Sequence, residues 1–320
     1  MKPKIVCLDG ATVYEKDSEM WDGMRLAGEF VYYERTAPEE IVGRCRGAQI
    51  VLTNKVPMTA ATIAALPELK YIGVLATGYN IVDTEAAKRA GVTVTNIPAY
   101  STMSVAQHVF SLLFAAVTHV EAYAADVARG GWSTCPDFSY RLSDWHELSG
   151  KTFGIVGYGN IGSRVAAIAS ALGMKVALFT SKPQERLPEG YVKMELDELF
   201  RQSDVLSLHC PLTPATKGIA DARRLALMKP TAILINTARG PLVDEGALAA
   251  ALREGKLGAA CCDVLMEEPP RSGSPLTGAP RCFVTPHIAW ASAEARERLA
   301  GIATANVEAF VGGKAVNTVG

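Results

Sequence analysis

The chain has 320 residues, 49% hydrophobic and 20% charged, which suits about two domains of ~150 residues and is too apolar for a disordered chain. A formal net charge of −1 gives no electrostatic footprint for nucleic acid or for an anionic membrane surface. Seven cysteines, an odd number with no CxxC pair, read as buried free thiols of a reducing compartment, so neither disulfides nor a metal is expected.

The N-terminal MKPKIVCLDG carries an apolar run too short for a signal-peptide core and reads as a first strand. Lys4 to Leu8, Gln49 to Thr53, Tyr71 to Leu75 and Val92 to Thr95 read as four buried strands. Helical stretches such as Pro38 to Cys45 and Thr59 to Leu66 lie between them. A long segment follows, NIPAYSTMSVAQHVFSLLFAAVTHVEAYAADVARGG. Pro98 ends the preceding strand, Ser101 or Ser104 can cap, and Gly130–Gly131 stop what reads as one long helix. Apolar residues cover more than one of its faces, so it needs burial between domains, against a second subunit or as plain core. Its most apolar part, Val109 to Val117, is about half a membrane span and is flanked by His108 and His119. The expectation is a soluble, cytoplasmic protein.

A second strand series begins near Gly150: Thr152 to Val156, Lys175 to Phe179, Val205 to His209, Ala232 to Asn236, Ala259 to Asp263 and Cys282 to Thr285. Ala291 to Phe310 reads as a last helix that can return to the first series. The predicted fold is α/β, two Rossmann-like or flavodoxin-like parallel-sheet domains with a cleft between them. Residues 1–100 plus 291–320 would form a discontinuous substrate-binding domain, and 101–290 a dinucleotide-binding domain that starts with the long helix.

Gly157-Tyr-Gly159-Asn-Ile-Gly162 fits G-x-G-x-x-G, follows the strand TFGIV and opens the helix IGSRVAAIASALG. In that setting the first glycine makes the turn, the second admits a pyrophosphate and the third lets helix pack on strand. The phosphates would sit on free N–H groups of the helix N-terminus. The next strand ends at Thr180, where an NAD-specific site would carry an acid for the ribose hydroxyls. Thr180, Ser181, Lys182 and Arg186 instead offer hydroxyls and cations suited to a 2′-phosphate, so NADP is favoured over NAD.

Arg239 in NTARGPLVDE, Glu268 in DVLMEEPP and His287 in TPHIAWAS each follow a strand of the second series. In an open parallel sheet ligands bind beyond the carboxyl ends of the strands, so all three should project to one rim.

GYGNIG, HCPLTPATKGI, INTARGPLVDEGAL, DVLMEEPP and TPHIAW, in this order and spacing, resemble the D-isomer-specific 2-hydroxyacid dehydrogenases over essentially the whole chain. NIPAYSTMSVAQHVFSLL and HIAWAS are most similar to the glycerate dehydrogenase (hydroxypyruvate reductase) branch. The resemblance implies NAD(P)-dependent reduction of a small 2-oxo acid, hydroxypyruvate before glyoxylate or a phosphoglycerate-type substrate. A dinucleotide-sensing, corepressor-like binding protein is the alternative of another class.

The resemblance also implies roles. Arg239 would bind the substrate carboxylate and polarise the carbonyl, His287 would be the acid–base group, and Glu268 would orient His287 and favour its imidazolium. Leu75, Ala76, Thr77 and Gly78 would form the carboxylate-binding loop, and Trp290 would wall the substrate pocket. Asn160 and Ile161 join the three glycines at the pyrophosphate. Cys210, Thr237, Ala238 and Asp263 would line the cofactor, Asp263 near the nicotinamide amide. A homodimer built through the long helix is expected.

Overall fold

The computed structural model describes residues 2–320 and divides into two compact units, Met1–Ser101 with Ala291–Gly320, and Thr102–Trp290. The first unit holds a five-stranded parallel sheet of β1 (Lys4–Cys7), β2 (Glu29–Tyr32), β3 (Ile50–Thr53), β4 (Tyr71–Val74) and β5 (Thr93–Thr95). Their order is β2-β1-β3-β4-β5. The central strands IVLT and YIGV are buried at every residue and do not alternate, the pattern of strands covered on both faces. The Ala293–Val311 helix packs on β4 and on the Asp22–Ala27 helix.

The second unit holds β6 (Thr152–Val156), β7 (Lys175–Phe179), β8 (Val192–Lys193), β9 (Val205–Leu208), β10 (Ile233–Asn236), β11 (Ala259–Cys262) and β12 (Cys282–Val284). They run parallel in the order β12-β11-β10-β9-β6-β7-β8. The chain leaves β6 toward β7 and β8 and then returns to β9 on the other side. The carboxyl end of β6 is therefore the switch point where open α/β sheets form their crevice. One apolar layer gathers Val109, Phe153, Val165, Leu178 and Ile235, and a second gathers Leu206, Leu208, Leu234 and Leu248.

Two features differ from the sequence reading. The segment after Pro98 is two helices, Thr102–Thr118 and Val120–Ala128, which meet at His119 with a 60° bend. His119 is left-handed (φ 51°) and stands in the β-branched run Val117-Thr118-His119-Val120, where helix propensity is weak. Ala106, Val109, Phe110, Leu112 and Leu113 of the first helix are buried as core of their own unit, whereas the second helix buries no residue. The short strands β2 and β8 were not expected at all. Both are edge strands, and neither has a fully buried residue.

Among the described residues no single helix is long and apolar enough to cross a membrane; only the bent pair reaches that length and composition together. The seven cysteines are free thiols, five of them buried.

Candidate active site

The glycine loop closes β6 in three steric steps. Gly157 has φ 97°, and a Cβ on it would stand 2.8 Å from the backbone nitrogen of Cys210. A Cβ on Gly162 would stand 2.1 Å from the Gly157 carbonyl oxygen, so the helix can begin this close to the loop only with glycine there. Gly159 is the opposite case, because a Cβ there would meet nothing within 4 Å. It is also the N-cap of the Asn160–Ala171 helix, and no side chain caps that first turn. An uncapped first turn beside open space fits a pyrophosphate. The hydroxyl of Thr237, buried and without a hydrogen-bond partner, is a further polar group suited to a ligand.

At the end of β7 the Thr180 hydroxyl accepts from the Lys182 backbone N–H (3.2 Å), while Ser181 and Lys182 are exposed. The Lys182 ammonium lies 4.9 Å from the centroid of the Tyr158 ring, which Tyr191 meets edge-on. Cys210 is buried and its thiol is pushed up to about 11, which suits a lining group and not a nucleophile.

β10, β11 and β12 are neighbours, and the three segments that follow them share one rim. After β10, the Asn236 side chain accepts from Ala238 N–H (3.1 Å) and donates to the Arg239 carbonyl (2.8 Å), which folds Thr237–Arg239 into a tight turn. Arg239 is half-buried and donates through Nη1 to the Ala238 carbonyl (2.7 Å). A Cβ on Gly240 would fall 1.9 Å from the Leu265 carbonyl oxygen, so the Arg239 turn abuts the turn that carries Glu268. Glu268 Oε1 accepts from Leu265 N–H (3.0 Å), and its Oε2 lies 2.6 Å from Nδ1 of His287. A carboxylate only accepts, so Nδ1 carries the proton and Nε2 is the nitrogen left for chemistry.

Asp263, one residue beyond β11, has no exposed side-chain surface. Burial pushes its carboxyl up, but bonds from His108, Thr285 and the N–H groups of Ala289 and Ile288 outweigh this and leave it below the usual range. Trp290 is half-buried three residues beyond His287.

In the first unit, Leu75–Gly78 follow β4 at the carboxyl edge of that sheet. Leu75 N–H donates to the Thr53 carbonyl (2.8 Å), Asn96 Nδ2 to the Thr77 carbonyl (2.8 Å) and Thr77 Oγ1 to the Ile97 carbonyl (2.8 Å). Leu75 is buried, Ala76 and Gly78 are half-buried and Thr77 is exposed, so the loop is pinned with its tip outward.

Residues 110–289, more than half of the chain, match the NAD binding domain of the D-isomer specific 2-hydroxyacid dehydrogenases. The chain belongs to that family. This dehydrogenase is 44% identical to the hydroxypyruvate reductase of Blautia hydrogenotrophica, with 99% of each chain covered. It is 46% identical to the glycerate dehydrogenase of Methylorubrum extorquens, over 100% of this chain and 99% of the other. It is similar in structure to an NADPH-dependent glyoxylate/hydroxypyruvate reductase of Sinorhizobium meliloti, solved with NADP and malonate. That match has a TM-score of 0.86 at 27% identity and covers 100% of this chain and 97% of the other.

Several supports of the site were missed in the sequence. Asn236 had a signal, because an Asn that ends a buried strand just before a tight turn can bond its own backbone. Glu245 had none: it is buried 21 residues from Met266, whose N–H it accepts (2.5 Å), and it also holds the Ser274 hydroxyl (2.7 Å).

Proposed function

We propose that this dehydrogenase reduces a small 2-oxo acid, hydroxypyruvate in first place, to the D-2-hydroxy acid. The observation that carries the reading is the 2.6 Å His287–Glu268 pair on the rim it shares with Arg239. Gly157, Gly159, Asn160, Ile161 and Gly162 hold the pyrophosphate of the dinucleotide, and Cys210, Thr237 and Ala238 line the rest of it, while Asp263, with no exposed side-chain surface, supports that wall from behind. The bound nicotinamide supplies the hydride. Arg239 pairs its guanidinium fork with the substrate carboxylate and polarises the carbonyl at C2. Where negative charge develops on the carbonyl oxygen at C2, the proton on Nε2 of His287 passes to it. The imidazole is left neutral, and Glu268 keeps its Nδ1 proton in place through the cycle. In the first unit the loop Leu75–Gly78 offers the N–H groups of Ala76, Thr77 and Gly78 to an acid substrate, the Leu75 N–H being held by Thr53. In the second unit Trp290 is a wall for the substrate beside His287.

The lack of a carboxylate at the end of β7 and the Lys182 cation beside it support NADP(H) over NAD(H). The names of the two relatives support hydroxypyruvate and glycerate as the substrate pair. A homodimer is supported by the exposed apolar groups Val120, Val127, Trp132, Phe138, Leu142 and Trp145 in and after the second helix.

A kinetic matrix of hydroxypyruvate and glyoxylate against NADH and NADPH tests the reading. The expected result is the highest kcat/KM for hydroxypyruvate with NADPH. Failure to turn over either acid with either cofactor would overturn it in favour of a dinucleotide-binding protein.

A further inference from the structure

His287 has φ 54°, a left-handed conformation uncommon outside glycine. Its surroundings are specific. The His287 N–H donates to the carbonyls of Asp263 (2.8 Å) and Thr285 (3.0 Å). The next two N–H groups, of Ile288 and Ala289, donate to the two oxygens of the Asp263 carboxylate, each at 2.9 Å. Thr285 Oγ1 donates to Asp263 Oδ1 (2.6 Å).

The Thr102–Thr118 helix grips the same turn twice. Ser104 Oγ donates to the Ala289 carbonyl (2.6 Å), and one helical turn further His108 Nε2 lies 3.0 Å from Thr285 Oγ1. Proton counting orders this chain of groups. The single Thr285 hydroxyl proton goes to the carboxylate, which can only accept, so Thr285 must accept from His108 and Nε2 of His108 carries a proton. The relay therefore runs His108 Nε2–H to Thr285 O–H to Asp263. Nε2 of His108 is also 3.4 Å from Asp263 Oδ1.

We propose that His108 is a positioning residue for the acid–base pair. Through Thr285 and Asp263 it holds the left-handed turn from which His287 meets Glu268, without itself touching substrate or cofactor. This rests on the reading of His287 as the acid–base group. Loss of the relay lets the turn relax toward ordinary backbone and loosens the Nδ1–Oε2 contact.

The test compares His108→Leu, which keeps the bulk and removes the donor, with His108→Gln, whose amide N–H replaces Nε2–H. Hydroxypyruvate reduction is expected to lose about tenfold or more in kcat in H108L, with KM and cofactor Kd within about threefold, and to recover most of it in H108Q. A readout that needs no turnover is the low-field proton resonance of the short His287 Nδ1–H···Glu268 bond, assigned by its loss in Glu268→Gln. It should broaden or move in H108L and return in H108Q.

An unchanged resonance and kcat in H108L would overturn the proposal. So would equal impairment of H108L and H108Q, which would mark His108 as packing alone. If H108L does not fold, Thr285→Val cuts the same relay and is read in the same way. Wild-type protein that turns over no 2-oxo acid would overturn the functional reading, while the resonance would still decide the relay.

Discussion

Gly240 is the contact through which the Arg239 turn meets the Glu268 turn, and Gly240→Ala tests whether that closeness matters to the reaction. A Cβ at this position would stand 1.9 Å from the Leu265 carbonyl oxygen, 2.0 Å from its carbonyl carbon and 2.5 Å from Met266 N. All three are backbone atoms, so no side chain can swing aside. Ordinary contact begins near 3.4 Å, and the two turns must therefore part by about 1.5 Å. The Leu265–Met266 side gives way poorly, because Glu268 holds Leu265 N–H and buried Glu245 holds Met266 N–H. Arg239 then moves relative to His287 by more than 1 Å, a misplacement that costs about 10²-fold in an oriented reaction. Overpacking of this kind also costs roughly 1–3 kcal/mol of stability. Steady-state reduction of hydroxypyruvate should show kcat/KM about a hundredfold down, with cofactor Kd within a few-fold of wild type. A folded variant with wild-type kcat/KM would refute the coupling of the two turns.

His287→Ala should cut kcat at least a hundredfold and leave cofactor affinity nearly intact; near-normal turnover would remove His287 from the chemistry. Gly159→Ala should fold with an unchanged melting temperature, since its Cβ meets nothing within 4 Å, yet bind NADPH about tenfold or more weakly by fluorescence titration. Tight binding would place the pyrophosphate elsewhere. Thr180→Asp should lower the NADPH/NADH ratio of kcat/KM, and an unchanged ratio would show that the end of β7 does not read the 2′-position. Burial depresses the pKa of His209 from 6.5 to about 4, so the unfolded chain takes up its proton well before the folded one does. The neutral His209 of the fold thus contributes stability that is full above pH 6.5 and lost as pH falls toward 4. The urea midpoint should drop through that window more steeply in wild type than in His209→Gln, and parallel curves would count against the burial argument.

The nucleotide loop was legible because each of its glycines answers a separate steric demand, and two of those demands are visible as impossible Cβ positions at Gly157 and Gly162. The buried strands were legible as unbroken apolar runs, with errors mostly of one residue at their ends. That the segments carrying Arg239, Glu268 and His287 share one rim was legible because each lies a few residues past a strand end of one parallel sheet. What escaped depends on pairings with no local trace. His108 and Thr285 are 177 residues apart, and Ser104 and Ala289 are 185 apart. A histidine in an apolar helix looks the same in sequence whether its ring nitrogen meets solvent or a threonine. The bend at His119 escaped because the β-branched residues around it weaken a helix without marking where it ends, and a positive φ is uncommon outside glycine.

The two sheets use one device at their carboxyl edges. Asp9, two residues past β1, is buried and accepts the N–H groups of Asn54, Lys55 and Val56 in the loop after the neighbouring strand β3. Asp263, one residue past β11, does the same for Ile288 and Ala289 after its neighbour β12. Beyond the last ladder bond a loop has N–H groups in need of acceptors, and one carboxylate with four lone-pair sites satisfies several of them at once. The two carboxyls nevertheless shift in opposite directions. Burial raises both, and at Asp9 the backbone bonds from Asn54, Lys55 and Val56 do not offset it. At Asp263 the side chains of His108 and Thr285 add to the backbone donors and carry the balance below the ordinary value. An aspartate that closes a buried parallel strand is thus first a clamp on the neighbouring loop. In the second unit the clamped loop carries His287, so under the proposed mechanism Asp263 acts on His287 through the backbone it holds.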